Sequence, residues 1–185
     1  MENQDKNELN NLLAACRKED RKAQLEIYKR YYKAMYNIAL RILNNTAEAE
    51  DAMQESFLKA FQKLETYSGE VTFGAWLKKI VINQSLDMLK VRKTLISIDS
   101  VAEMTEEDEG IDYLEYKDLS VNKIKEALYS LPEGYRVVLS LYLIEGYDHD
   151  EIAQILNINS ATSRTQYHRA KKKLAATLNE IKAVS

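Results

Sequence analysis

Residues 148–174 read DHDEIAQILNINSATSRTQYHRAKKKL, and this stretch decides the fold of the C-terminal part of the chain. Asp148 is a suitable N-cap for a short helix, because its carboxylate can accept hydrogen bonds from the first free backbone N–H groups. The apolar positions predicted to face inward on that helix are Ile152, Ile155 and Leu156. Residues 157–159, Asn-Ile-Asn, predict a tight polar turn, and Ser160 is predicted to cap a second helix.

The second helix has two faces of different chemistry. The positions spaced at i, i+4, i+7 and i+11, predicted to face the first helix, are Ser163, Tyr167, Ala170 and Leu174. The positions predicted to point away are Ala161, Arg164, Thr165, His168 and Lys172. Short side chains at the start of this helix suit entry into a DNA major groove, so the pair of helices is predicted to be a helix-turn-helix.

The same helix concentrates positive charge. Residues 160–173 carry five Lys or Arg side chains and no carboxylate, in a chain whose net charge is −3. Each phosphate that a cation neutralises releases condensed counterion, so phosphate binding favours such clusters. The cations are Arg164, Arg169, Lys171, Lys172 and Lys173, and the side chains able to reach base edges are Thr162, Thr165, Gln166 and His168. The stretch therefore predicts DNA binding.

The composition of the whole chain favours an all-α protein. Only five Gly and one Pro occur in 185 residues, which leaves little of the turn chemistry that many short strands require. Cys16 is the only cysteine, which excludes an internal disulfide and a cysteine-based zinc site. The first residues lack a basic region followed by an apolar run, and no 18 consecutive residues are apolar, so a cytoplasmic protein without membrane insertion is expected.

An acidic interval divides the chain. Residues 99–118 hold nine Asp or Glu and one Lys, a net charge of −8, and contain too few apolar side chains to fold alone. We therefore predict an acidic flexible linker over residues 94–118, between two small helical domains over residues 8–93 and 119–182. The linker is either a solvated spacer or a polyanion that competes with nucleic acid for a basic channel on a partner.

Two helical segments stand out in the N-terminal domain. The first is AEAEDAMQESFLKAF, with Thr46 as its predicted cap; one row of its side chains comprises Asp51, Gln54, Glu55 and Leu58. The second is TFGAWLKKIVINQSLDMLKVRK, with a predicted inward arc of Leu77, Ile80, Val81 and Met88 and an outward arc of Lys79, Asn83, Asp87 and Lys90. Trp76 projects onto the outward arc, where it is either a stacking surface for an unpaired base or a partly buried structural residue.

In this order, these segments resemble the bacterial extracytoplasmic-function sigma factors. The resemblance runs from about Ile27 to Leu174. Its strongest elements are AEDAMQESFLKAF, FGAWLKKIVINQSLDMLK, LPEGYRVVLSLYLIEGYDHDEIAQIL and TSRTQYHRAKKKL, with the acidic linker in the middle. It implies a transcription initiation factor that binds RNA polymerase core, directs it to promoters and promotes DNA opening.

The resemblance also implies roles for individual residues. The residues matching the face that docks on the clamp of the largest polymerase subunit are Asp51, Gln54, Glu55 and Leu58. Those matching the surface for the promoter −10 element, including a loop from Tyr67 to Phe73 that captures a flipped base, are Tyr67, Phe73, Trp76, Lys79, Asn83, Asp87, Arg92 and Lys93. Those matching the surface for the −35 element are Arg136, Thr162, Arg164, Thr165, His168, Arg169 and Lys172.

The resemblance also implies partners, and the sequence departs from the family pattern at two positions. The partners are polymerase core, promoter DNA and an anti-sigma factor, and no cofactor, metal or catalytic residue is implied. The linker is expected to lie along the active-site cleft and RNA exit path of polymerase. Ser163 stands where the family usually has a buried Val, and Gln166 where Arg is common, which affects the packing and the base preference of the second helix.

Two other classes of function remain open on the residues alone. A dimeric helix-turn-helix regulator would bind a palindromic operator tightly without polymerase, while its N-terminal half senses a ligand. A protein-binding adaptor would use the basic helix only as a solvated face and bind no DNA. An enzyme is disfavoured, because His149 and His168 have no adjacent nucleophile and no glycine-rich phosphate loop occurs.

Overall fold

A computed structural model describes residues 2–95 and 120–183, with side chains from residue 7 to 92 and from 120 to 183. Its helices are α1 (Glu2–Arg17), α2 (Arg21–Leu43), α3 (Thr46–Gln62), α4 (Phe73–Leu95), α5 (Val121–Ser130), α6 (Glu133–Leu143), α7 (His149–Leu156) and α8 (Ser160–Ala183), and Leu64–Thr66 forms a 3-10 turn. No strand occurs within these two ranges, which confirms the all-α prediction.

The chain divides into two compact units, Met1–Ile96 and Ser97–Ser185. Helix α1 begins six residues before the predicted start of the first domain at residue 8, and α4 runs two residues past its predicted end at 93. Nearly all of the predicted linker, residues 96–118, lies outside the described residues.

In the first unit, α2, α3 and α4 pack against one another, and α1 packs on α2 and the 3-10 turn. Large apolar side chains from all three central helices are fully buried, among them Ile27, Ile42 and Leu77. The prediction that Thr46 caps α3 is wrong by one residue. Asn45 adopts an extended backbone, and its side-chain oxygen accepts from the N–H of Glu48.

The buried face of α4 is wider than the sequence predicted. Leu77 and Val81 are fully buried as expected, whereas Ile80 and Met88 are only half-buried. The additional buried apolar residues are Ile82, Leu86 and Leu89. Because α4 packs against both α2 and α3, it buries an arc broader than a single stripe.

In the second unit, α5, α6 and α7 all pack against α8. Helix α7 begins with a capping box, in which Asp148 accepts from the N–H of Glu151 and the Glu151 side chain accepts from the N–H of Asp148. This confirms Asp148 as the cap. Helix α8 is capped by Asn159, which accepts from the N–H of Thr162, so the prediction of Ser160 is wrong by one residue.

Candidate nucleic-acid interface

Helix α8 separates a buried stripe from an exposed basic face. Ser163 and Ala170 are fully buried and Tyr167 is nearly so, which confirms three members of the predicted inward stripe, whereas the fourth, Leu174, is only half-buried. On the opposite side the exposed residues are Ala161, Arg164, Thr165 and Lys172, and the half-buried ones are Thr162, His168 and Arg169. The predicted orientation is therefore confirmed, and DNA contact by these residues stays a prediction.

Two residues of the basic stretch are turned toward the protein itself. Nζ of Lys171 lies 5.5 Å from the ring centroid of Tyr167, in cation–π geometry. Gln166 is half-buried, and its Oε1 lies 3.7 Å from the position that a Cβ would take at Gly134. Base contact by Gln166 is therefore not supported by its position, and four of the five cations remain as candidates for phosphate.

Arg136 is buried and does not lie on the exposed face of α8, which does not fit its assignment as a DNA contact. Its side chain is buried, and Nη1 donates a hydrogen bond of 3.0 Å to the carbonyl oxygen of Leu131. That carbonyl lies between α5 and α6, so the guanidinium joins the end of one helix to the start of the next. A buried and bonded guanidinium cannot reach a phosphate without breaking this junction.

The hydroxyl of Ser163 forms a hydrogen bond within the helix-turn-helix. Its Oγ lies 3.0 Å from Nδ1 of His149, the first residue of α7. The imidazole also stacks on Tyr142, with ring centroids 4.5 Å apart and an interplanar angle of 20°, and meets Tyr167 edge-on. A polar Ser is thus accommodated at a fully buried position because a ring nitrogen of the neighbouring helix satisfies it.

Acid is expected to weaken the second unit through His149. Burial lowers its pKa below the ordinary 6.5, Arg164 and His168 lower it further, and Asp148 and Asp150 oppose them. Above pH 6.5 the ring is neutral in both folded and unfolded chains, so stability is complete. As the pH falls below 6.5, the unfolded chain binds a proton at this ring before the folded chain does. Stability is therefore lost until the pH reaches the lower pKa of the folded ring.

Thermal unfolding at pH 7.5 and 5.5 measures this effect. His149→Phe keeps a stacking ring and removes the proton site, so its melting temperature is expected to fall less between the two pH values than that of the wild type. An equal fall in both proteins would assign the acid sensitivity to other groups.

Helix α3 presents an acidic, partly apolar face to solvent. Asp51, Gln54, Glu55 and Leu58 are all exposed, and Leu58 is 63% exposed. The side chains on the opposite face of α3 that form the core are Ala52, Met53, Ser56 and Phe57. The predicted row is therefore a real surface, whose partner remains to be assigned.

Gln84, which the sequence did not indicate, orients one carboxylate of this surface. Although it is largely buried on α4, its Nε2 donates to Oε2 of Glu55 at 3.1 Å, and its Oε1 accepts from the ammonium of Lys59. These hydrogen bonds join α4 to α3, so they cannot be read from the residues next to Gln84 in the sequence. A signal in the sequence could have been the polar run of residues 83–85 between Ile82 and Leu86, because three successive helical positions cannot all avoid a broad buried arc.

The loop between the 3-10 turn and α4 is closed by its own hydrogen bond and by an aromatic cluster. The hydroxyl of Tyr67 donates to the carbonyl of Val71 at 2.8 Å, and Gly69 takes a φ of 81°, which favours glycine. The ring centroids of Tyr67 and Trp76 are 5.4 Å apart. Both residues are half-buried, so each presents part of its ring to solvent.

Phe73 belongs to the core, which corrects its assignment as a DNA contact. Its ring is 1% exposed and is enclosed by Tyr31, Tyr67 and Trp76, at centroid distances of 5.3, 5.7 and 5.7 Å. A phenyl ring so enclosed anchors the loop and the first turn of α4.

The outward face of α4 is polar along the predicted positions. Lys79, Asn83 and Asp87 are exposed, and Asp87 accepts from Nζ of Lys90 at 3.2 Å. Arg92 is paired within the protein, and its predicted contact to the DNA backbone stays a prediction.

Nη1 of Arg92 lies 3.1 Å from Oε2 of Glu48 and 3.4 Å from the carbonyl oxygen of Leu43. It therefore holds α4 against the junction of α2 and α3. The side chain of Lys93 lies outside the described residues, so its predicted DNA contact has no structural counterpart here.

Neither a metal site nor a membrane-spanning helix occurs in the described parts of the chain. Residues 2–95 and 120–183 contain no group of three or more His, Cys, Asp or Glu side chains placed to hold a metal ion. None of the helices in these ranges combines the length and apolarity needed to span a bilayer.

Comparisons with known proteins match both units to one family. The Sigma-70 region 2 family model matches residues 27–94, and the Sigma-70, region 4 model matches residues 122–174. The ECF RNA polymerase sigma factor SigW of Bacillus subtilis is 30% identical over 176 residues, covering 89% of this chain and 94% of SigW. SigV of the same organism is 30% identical over 151 residues, covering 78% and 84%.

Solved structures agree on the fold. The sigma factor RpoE of Bartonella quintana, solved with the anti-sigma factor NepR, aligns with a TM-score of 0.57 at 22% identity, covering 83% of this chain and 95% of RpoE. CnrH, solved with the cytosolic domain of CnrY, aligns with a TM-score of 0.54 at 22% identity, covering 91% and 96%. Because both sigma regions are present in order and the match to SigW spans nearly its whole length, this chain belongs to the ECF RNA polymerase sigma factors, which direct RNA polymerase to promoters.

Proposed function

We propose that this sigma factor uses three surfaces, one to bind RNA polymerase and two to bind the promoter. The exposed face of α3 binds the clamp of the largest polymerase subunit, the first turns of α8 bind the −35 element, and the loop from Tyr67 to Phe73 with α4 binds the −10 element. The observation that carries the proposal is the two-sided character of α8. Its short polar and cationic side chains are exposed opposite the buried Ser163, Tyr167 and Ala170.

Recognition of the −35 element combines two kinds of contact. The cations Arg164, Arg169, Lys172 and Lys173 bind phosphates, which fixes the register of the helix on the duplex. Thr162, Thr165 and His168 lie near the start of α8, where side chains reach base edges. Lys171 is left out of the phosphate contacts because its ammonium group lies over the ring of Tyr167.

Arg164→Ala tests this surface. Loss of one duplex phosphate contact is expected to make the slope of log affinity against log salt shallower by about 0.9. The measurement is holoenzyme binding to a promoter fragment between 50 and 200 mM salt, with wild type and variant side by side. An unchanged slope would remove Arg164 from the interface.

Recognition of the −10 element relies on base capture. The rings of Tyr67 and Trp76 are half-exposed, so an unpaired base can stack on them while the loop encloses it. Capture favours the opened duplex because the stacking energy is gained only when the base has left the helix. On this proposal the chain contributes no catalytic residue, and polymerase performs the chemistry.

The remaining parts of the proposal rest on charge and on relatives. The linker, net −8 over residues 99–118, is proposed to follow the active-site cleft of polymerase, where a polyanion can imitate nucleic acid. An anti-sigma factor is proposed as a partner because RpoE, which shares the fold, was solved with one. The cytoplasm is the proposed location, since that is where bacterial polymerase works.

A run-off assay separates this proposal from a regulator that acts alone. Core polymerase with this protein is expected to give a transcript from a matched promoter, and core polymerase alone should give none. The free protein should bind promoters poorly, because neither small unit has the contact area for tight binding. Tight binding to an inverted repeat without polymerase would favour a dimeric regulator instead.

A further inference from the structure

Helix α1 ends beside the loop to which we assign base capture. This helix precedes the segment that matches the sigma region 2 model, which begins at residue 27. It packs on α2 and on the 3-10 turn Leu64–Thr66. Leu13 and Cys16 are buried in that contact, at 2% and 3% exposure, so the last turn of α1 is held firmly in place.

The cation in this last turn is Arg17, and it lies beside the 3-10 turn that precedes the loop. Its Nε lies 4.0 Å from Oε2 of Glu65, at the edge of ion-pair distance. The Arg17 side chain is 34% exposed and that of Glu65 is 77% exposed, so water screens the pair and it contributes little to stability. Burial raises the pKa of Tyr67, and the charge of Arg17 opposes this rise.

The loop needs a cation from outside its own sequence. Residues 67–73 contain one Glu and no Lys or Arg, a net charge of −1. A base that stacks on Tyr67 or Trp76 has a phosphate on either side of its sugar. These negative charges would repel the loop unless a neighbouring element neutralises them.

We propose that Arg17 binds a phosphate of the unpaired strand next to the captured base, and that Glu65 holds this guanidinium in place while no DNA is bound. The proposal rests on the proposed base capture. Arginine suits the role because its planar fork pairs with phosphate oxygens in a bidentate manner. Exchange of a screened carboxylate for a phosphate costs little, since the ion pair that breaks is weak.

The test is binding of holoenzyme to a forked promoter fragment whose −10 element is single-stranded. One single-strand phosphate contact contributes a slope of about −0.7, so Arg17→Ala is expected to make the salt dependence shallower by that amount and to weaken binding about fivefold at 0.1 M salt. Arg17→Lys should keep most of the slope because it keeps the charge. Glu65→Gln should tighten binding, because it frees Arg17 for phosphate.

Arg17→Ala should weaken DNA binding and Glu65→Gln should tighten it. These opposite effects distinguish phosphate binding from an ion pair that only stabilises the fold. If the ion pair only fastened α1 to the 3-10 turn, Arg17→Ala would leave the slope unchanged and Glu65→Gln would not tighten binding, and the proposal would be overturned. Trp76→Leu is measured on the same fork. If Trp76→Leu weakens binding and Arg17→Ala does not, only the Arg17 contact fails; if neither weakens it, base capture itself fails.

Discussion

Replacing Asp51 by lysine is expected to remove this sigma factor from RNA polymerase core. Asp51 lies at the N-terminal end of the exposed α3 row, followed by Gln54, Glu55 and Leu58. An acidic face predicts a cationic partner surface, and like charges brought together across an interface cost several kcal/mol. The expected loss of affinity is therefore about a hundredfold or more. Co-purification with tagged core, followed by titration of labelled protein, measures it.

The fold should survive this substitution. Asp51 is exposed, and the core of α3 lies on the opposite side of the helix at Ala52, Met53 and Phe57. Glu180→Lys, an equal charge change at an exposed position of α8, is the matched control and should retain binding. If the Asp51 variant melts like the wild type and still co-purifies with core, the polymerase-binding surface must lie elsewhere.

Features governed by local rules were predictable from the sequence. The helix-turn-helix follows from the spacing of Ser163, Tyr167 and Ala170 and from the cap at Asp148, because both depend on neighbours within one or two turns. The caps at Thr46 and Ser160 were each wrong by one residue. In both places an Asn immediately before the predicted cap makes the hydrogen bond, and Asn competes well with Ser or Thr for this position.

Features that depend on distant partners were not predictable. Arg92 meets Glu48, 44 positions away, and this partner cannot be read from the charge of Arg92 alone. Arg136 and Phe73 were expected at the DNA surface through resemblance, yet the fold buries both. A long cationic or aromatic side chain can either lie exposed on the surface or pack between two helices, and only the tertiary arrangement distinguishes the two cases.

The pair of His149 and Ser163 shows how a departure from the family pattern can be compensated. The usual Val would need no partner at this buried position, whereas Ser requires one. The ring nitrogen of His149 provides it from 14 positions away, and the ring is itself fixed by Tyr142. Helix α8 is thus held by a polar contact in addition to apolar packing.

Replacing Trp76 by leucine is expected to impair DNA opening while leaving holoenzyme assembly intact. Trp76 packs against Phe73 and Tyr67 and is half-buried, so an alanine would also remove packing from the loop. Leucine keeps much of the apolar contact and removes the flat ring. Stacking of a base on an aromatic ring is worth about 1–3 kcal/mol, so the equilibrium for opening should fall roughly 5- to 150-fold.

A fluorescent base analogue in the −10 element of a duplex promoter reports this equilibrium directly. Trp76→Phe, which keeps an aromatic face, should recover part of the signal, and the polymerase affinity of both variants should equal that of the wild type. Normal opening by Trp76→Leu would show that Trp76 is a structural member of the Tyr67 and Phe73 cluster. Equal losses in the Leu and Phe variants would point to altered loop packing, because stacking on a base requires only an aromatic face while packing depends on the full indole volume.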